Sequence, residues 1–158
     1  MNCNPDESEL RCWMNVAIDS LRLGTSEGQS PFGAAIFRHD GVLVVAEHNQ
    51  VKRLRDPSAH AEVMAIRAAS HALQTSDLSE VCLVSTCEPC PMCTATIILA
   101  GIRCVVYGAT VQDAIDAGFS ELQIPSQPLF DRASFPIELT GEVCREECRE
   151  LLLQYRSK

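Results

Sequence analysis

From residue 7 to residue 23 the apolar positions Leu10, Trp13, Met14, Ala17, Ile18 and Leu21 recur at helical intervals, which gathers their side chains on one face. Gly24 follows where a helix would stop. Two short apolar runs, residues 33–37 and 42–46, flank Arg38-His39-Asp40-Gly41. Asp-Gly between such runs is a hairpin signal, so the pair reads as antiparallel strands. Helical spacing returns over residues 59–73, and residues 81–85 form an apolar run of buried-strand type. A third helix over 92–100 closes at Gly101, and a further strand spans 103–107. Two strands joined through a helix run parallel. Past Gly108, a short helix at about 111–117 leads into a Pro- and Ser-rich loop over 118–136, of a length that suits a lid. A strand at 135–139 and a charged helix over about 141–155 end the chain. The pattern predicts an α/β fold: three layers, α/β/α, around a mixed five-stranded sheet, with residues 1–158 as a single domain.

The chain has 158 residues, enough to bury roughly 70% of the unfolded surface. No apolar run reaches the ~18 residues of a membrane span. The acidic start, with Asp6, Glu7 and Glu9, lacks the basic opening and apolar centre of a secretory signal, so a cytoplasmic location is expected. The nine cysteines are an odd number in a chain too long to need a disulfide scaffold, which points to reduced thiols. A net charge of −8 argues against non-specific attraction to a phosphate backbone, which needs clustered cations. A nucleic-acid partner is unsupported on this ground.

Cys90 and Cys93 stand three apart, with Pro89 and Pro91 fixing a helix start. Positions i and i+3 share a face, so both sulfurs reach one ion, and a helix N-terminus favours thiolate. Cys87 as a further ligand would close the site to chemistry. His60 is the more useful third ligand: a histidine opening one helix meets the cysteines opening another at the C-terminal edge of the sheet, where open α/β sheets bind ligands. The fourth position is then left to water. Glu62, two residues on, is poorly placed as a second ligand but able to take a proton from that water. A zinc ion on two thiolates and a neutral imidazole is a milder Lewis acid than one on three imidazoles, which makes a carboxylate base more valuable. His60-Ala61-Glu62 followed by Pro89-Cys90-Pro91-Met92-Cys93 is the H-x-E and P-C-x-x-C signature of zinc nucleobase deaminases.

Through these motifs the chain resembles the cytidine deaminase superfamily over about residues 10–155, within its branch of guanine deaminases and tRNA adenosine deaminases. The resemblance implies one catalytic Zn2+ per subunit, held by His60, Cys90 and Cys93, and a homodimer whose partner helps shape the pocket. It also implies a reaction in which metal-activated water attacks the ring carbon bearing the amine and ammonia leaves. Glu62 is then the catalytic proton shuttle. Pro31-Phe32-Gly33-Ala34-Ala35-Ile36-Phe37 and the stretch Asp113 to Phe119 are similar to guanine deaminases, in which the aspartate matching Asp113 lies near the base. The ending from Glu138 to Tyr155 is similar to tRNA adenosine deaminases, and lacks the aromatic tail that closes a neighbouring site in guanine deaminases of the best-known bacterial type. Asn49 matches an asparagine that holds the base in both groups, and an amide that donates and accepts suits a purine edge.

The expected substrate contacts are Asn49, Ala61, Phe32 and Asp113. Phe32 either stacks on the ring or packs under the first strand, Asp113 is a base contact or a helix cap, and Phe119 and Phe130 close over the base or anchor in the core. His39, His48 and His71 read as surface or turn residues, and Cys12, Cys82, Cys104, Cys144 and Cys148 as buried packing. The expected activity is hydrolysis of an aminated purine base, guanine to xanthine plus ammonia. Alternatives are adenosine in tRNA, or cytosine, a nucleoside, a pterin or a triazine.

Overall fold

The computed structural model describes residues 5–120 and 122–156. The first helix, α1 (Glu7–Ser26), opens on a capping box in which Asp6 accepts from the Glu9 backbone and Glu9 reaches back. It runs through Gly24 rather than stopping there. Gly24 is buried, and a Cβ at this position would lie 2.6 Å from Cγ of His48. The glycine therefore serves close packing between α1 and the sheet.

The hairpin pairs β1 (Gly33–Arg38) with β2 (Leu43–His48) in antiparallel register, with Gly41 at φ 84 in the turn. A one-turn helix, α2 (Val51–Leu54), follows and leads to α3 (Ala61–Leu73). Too short for periodicity, α2 has no signature in the sequence. The chain continues through β3 (Val81–Cys87), α4 (Pro91–Leu99), β4 (Cys104–Ala109) and α5 (Val111–Asp116). It ends with a one-turn α6 (Gln127–Phe130), a short β5 (Glu138–Thr140) and α7 (Arg145–Arg156). The last strand begins three residues later than its apolar pattern suggests, just past Pro136, which has no N–H to give a ladder.

Strand order is β2-β1-β3-β4-β5, with β1 antiparallel to both neighbours and β3, β4 and β5 parallel. Successive side chains alternate between two cores. Trp13, Met14 and Ile18 of α1 pack with Phe37, Val84, Val106 and Leu152 on one face, where the Trp13 and Phe37 rings stack at 4.8 Å. Ala65 and Ile66 of α3 and Ile97 of α4 pack with Ile36, Leu83 and Val105 on the other. Helices thus cover both faces, which is why β3 is buried along its whole length. No helix among the described residues is long and apolar enough to cross a membrane.

The pairing sets where the site lies. The C-terminal ends of β2 and β3 and the start of β1 fall on one edge, because Gly33 is opposite His48 and β1 runs antiparallel to β3. Phe32, Asn49 and Glu88 leave the sheet at this edge.

The stretch expected as a lid is anchored at Ser126 and Phe130. Ser126 is fully buried, and its backbone N–H and hydroxyl donate to Oε1 of Glu88 at 2.8 and 3.0 Å. Phe130 is an anchor in the second core. His48 is buried and not a surface residue, because it fills the space left by Gly24. Cys12 is exposed, on the solvent side of α1, whereas Cys82, Cys104 and Cys148 are buried.

Candidate active site

Two helix starts build the centre. His60 is the N-cap residue of α3 at φ −67, ψ 155, and Cys90 that of α4 at φ −65, ψ 167. Neither side chain caps its own helix. Both turn toward each other, and Pro91 in the first turn of α4 sets Cys93 on the same side as Cys90. Nδ1 of His60 lies 3.6 Å from Sγ of Cys90 and 3.6 Å from Sγ of Cys93. All three ligand atoms lie within 4.8 Å of one another. A tetrahedral zinc ion with bonds of ~2.3 Å to sulfur and ~2.0 Å to nitrogen sets its ligand atoms about 3.5–3.8 Å apart. The donors and their spacing fit zinc.

The two sulfurs differ in proton affinity. The hydrogen bond from Cys93, against some penalty from burial and with help from His60, pulls the Cys90 thiol down to about 4. The same hydrogen bond and burial push Cys93 up. Zinc binding requires both sulfurs as thiolates.

Glu62 sits on the first turn of α3 and is 6% exposed. Its Oε1 accepts from the Ser85 hydroxyl at 3.1 Å, and its Oε2 accepts from the Cys93 thiol at 3.5 Å. Burial raises its carboxyl above the ordinary range, opposed by the charge of His60. Ser85, on β3, orients this carboxylate. With Thr86 it is one of two hydroxyl residues within the otherwise apolar Val81–Cys87, and that interruption is its trace in the sequence.

A cavity of about 190 Å³ opens over this group. His60, Glu62 and Cys90 line it on the metal side, and Phe32, Asn49, Val51 and Glu88 also bound it. Asn49 is held three ways. Its N–H donates to the Phe32 carbonyl at 3.0 Å, its Oδ1 accepts from the Val51 N–H at 3.2 Å, and its own carbonyl accepts from Nδ1 of His48 at 2.9 Å. Since Oδ1 is engaged, the amide presents its NH2 group as donor. Nε2 of His48 lies 3.4 Å from Glu27. Gly24, His48 and Asn49 therefore form a packed column from α1 to the cavity.

Phe32 both lines the cavity and packs against the two cores, and meets Phe119 edge to face at 5.1 Å. Glu88, adjacent to the cysteine motif, was not singled out from the sequence. It is buried and accepts from Ser126 through Oε1 and from the Val111 N–H at 3.1 Å through Oε2, fastening two later segments to the cavity wall. Its partners are 23 and 38 residues away, beyond any local pattern.

Ala61 and Asp113 are not among the residues that line the cavity. Ala61 is wholly buried at the start of α3, packed in the second core. Asp113 completes a capping box with Thr110 and accepts from Arg145 Nε at 2.9 Å and Nη2 at 3.1 Å. Arg149 Nε lies 3.6 Å away. These contacts latch α7 to α5.

Comparison with known proteins agrees with this geometry. Residues 7–109 match the cytidine and deoxycytidylate deaminase zinc-binding region. The guanine deaminase of Bacillus subtilis is 38% identical over 115 residues, spanning 73% of this chain and 71% of the relative. A tRNA-specific adenosine deaminase of Agrobacterium fabrum is 33% identical over 147 residues, 90% of this chain and 91% of the relative. The solved guanine deaminase from Nitrosomonas europaea superposes with a TM-score of 0.85 at 30% identity, covering 94% of this chain and 85% of that one. The metal-fitting trio at two helix starts and the match across most of the sheet have one meaning: the chain belongs to the cytidine and deoxycytidylate deaminase family, as a zinc-dependent hydrolytic deaminase.

Proposed function

We propose that the protein deaminates a free aminated purine base, guanine first, giving xanthine and ammonia with consumption of one water. His60, Cys90 and Cys93 would hold the zinc ion. Zinc, when bound, supplies a Lewis acid that makes water a competent nucleophile near neutral pH. Glu62 does the proton work: Oε2 faces the metal side, Ser85 fixes Oε1, and burial gives the carboxyl the raised proton affinity suited to accepting a proton and returning it to the ring nitrogen and departing amine. Asn49 offers its NH2 to an acceptor on the base edge, and Phe32 offers an apolar ring. The active form is a homodimer of single-domain subunits over residues 1–158, with one zinc each.

The observation that carries this reading is the cavity itself. At about 190 Å³ it is smaller than the ~300–1,000 Å³ of most small-molecule pockets, a size for a base rather than a larger ligand. Charge supports it. Close to the cavity residue Val51, Lys52 donates to the Gly28 carbonyl and Tyr155, and Arg53 to Glu27 and Gln50; Arg22, at the second cleft, donates to Glu147. Cations paired with carboxylates and carbonyls of the same chain are not arrayed to track phosphates. The test is ammonia release from guanine, guanosine, adenine and cytosine. Turnover of guanine is expected, and silence on guanine with turnover of another amine removes the substrate assignment.

The relative from Agrobacterium fabrum, matched over 90% of this chain, favours a second reading, deamination of adenosine in tRNA. Inosine formed in tRNA, with retention in a gel shift at moderate salt, would establish it over the first.

A further inference from the structure

Tyr155, near the end of α7, is half-buried on the wall of a second hollow. Its hydroxyl accepts from Nζ of Lys52 at 2.6 Å and faces Ser30, which lines the cavity described above. Lys52 follows Val51, another lining residue, and its ammonium also lies over the Tyr155 ring at 5.3 Å. The ring stacks on Phe119 at 6.1 Å, and Phe119 in turn meets Phe32 of the cavity wall. The other side of Tyr155 lines a second, larger cleft of about 580 Å³. That cleft is bounded by Arg22, Thr25, Ser26 and Arg156, two guanidinium groups and two hydroxyls.

We propose that Tyr155 is the partition that separates the base cavity from this cleft, and that it sets specificity for a free base over a nucleoside. The carbon losing its amine must lie at the metal side, so a sugar on the base projects away from it. The polar cleft beyond Tyr155 is walled by hydroxyls and guanidinium groups, polar surroundings that suit a ribose, around a volume about three times that of the base cavity. In the native protein the phenol, braced by Lys52 and Phe119, bars the way. The latch between Asp113 and Arg145 keeps α7, and with it the ring, in position. Tyr155 acts by exclusion and touches no reacting atom, which makes it a specificity-determining residue.

The inference rests on the free-base reading, and its test is a ratio. Wild type, Tyr155→Ala, Tyr155→Leu and Tyr155→Phe are assayed for ammonia release from guanine and guanosine, with adenine and adenosine, and cytosine and cytidine, in parallel. Tyr155→Ala and Tyr155→Leu should raise kcat/KM for the nucleoside relative to its base by about tenfold or more, the scale on which a change in pocket size discriminates. Tyr155→Phe, which keeps the ring and loses only the hydroxyl, should stay near the wild-type ratio. Thermal melts and zinc content identify a variant that fails to fold, and Tyr155→Leu retains apolar contact with Phe119 should Tyr155→Ala do so. A ratio unchanged in both truncated variants overturns the partition, as does a wild type that already turns over nucleoside as fast as base. Silence on guanine overturns the substrate reading alone, since the ratio is then read on whichever base and nucleoside pair reacts.

Discussion

Replacing Glu62 by glutamine isolates the proton step from everything else this residue does. The amide has the size and shape of the carboxylate, so the Ser85 hydroxyl can still donate to Oε1, a contact of 3.1 Å in the native protein. The atom replacing Oε2 becomes an NH2 that can donate to the Cys93 sulfur, where the native carboxylate accepts at 3.5 Å. Ligand geometry and packing are therefore retained, and the lost property is proton transfer. At 6% exposure there is little access for water to substitute. General acid–base groups contribute ~10²–10⁴ in rate, so kcat should fall by that factor, about 2.7–5.5 kcal/mol in activation free energy. The assay is ammonia release at saturating substrate, with zinc per chain from elemental analysis and a thermal melt on the same sample. A Glu62→Gln enzyme with full zinc and kcat within about threefold of wild type would remove Glu62 from the proton path. Loss of zinc in that variant would show instead that the carboxylate is a ligand.

Gly24→Ala places a Cβ 2.6 Å from Cγ of His48. Overpacking costs ~1–3 kcal/mol, offset by ~1 kcal/mol of helix propensity, so a fall in Tm of up to about 8 °C is expected for a chain of this size. Because His48 holds the Asn49 carbonyl, KM should rise as well; a higher Tm would refute the packing argument. His60→Ala should lower zinc content and Tm together, because metal binding free energy is folding free energy, whereas normal zinc content would place the ion elsewhere. At Asp113, burial pushes the carboxyl up, but hydrogen bonds from Arg145 and Thr110 together outweigh it and hold it below the ordinary range. A depressed folded-state value means stabilisation that is present above the unfolded value of ~3.9 and lost as pH falls through the folded one. Asp113→Asn should therefore flatten the decline of Tm below about pH 4, and a pH series of melts with identical slopes would count against the latch.

What could be read before folding was whatever chemistry writes at short range. His60 and Glu62, and Cys90 and Cys93, are each close pairs at helix starts, and the helix period together with Pro91 fixes which way they face. The residues that dress this centre are set by tertiary contacts. Ser85 reaches Glu62 across 23 positions, Ser126 reaches Glu88 across 38, and Arg145 reaches Asp113 across 32. No local period encodes these. Gly24 shows the same limit from the other side: its intrinsic preference says stop, but burying α1 against His48 outweighs a propensity cost of ~1 kcal/mol. The stretch over 118–136 reads as a lid from composition, because its anchors are one serine and one phenylalanine whose partners lie in distant segments.

The division of the site along the chain explains how one centre serves relatives with different substrates. The family match ends at residue 109, and every proposed metal ligand, the acid–base carboxylate, Asn49 and Phe32 lie before that point. What braces the cavity lies after it: Ser126 fixes Glu88, Phe119 meets Phe32, and Tyr155 faces Ser30 and is tied to Lys52. Chemistry at the amine requires only the first set, since a metal, a proton shuttle and a base contact are the same for a free purine or an adenosine in RNA. Selection between them is a question of what may be attached to the base, and so of the walls. In this chain the residues that line the cavity all lie before residue 91, and its own C-terminal third braces them from behind, held by the latch between α5 and α7. Changes in that third should therefore alter which amine is accepted while leaving metal content intact, and changes before residue 109 should do the reverse.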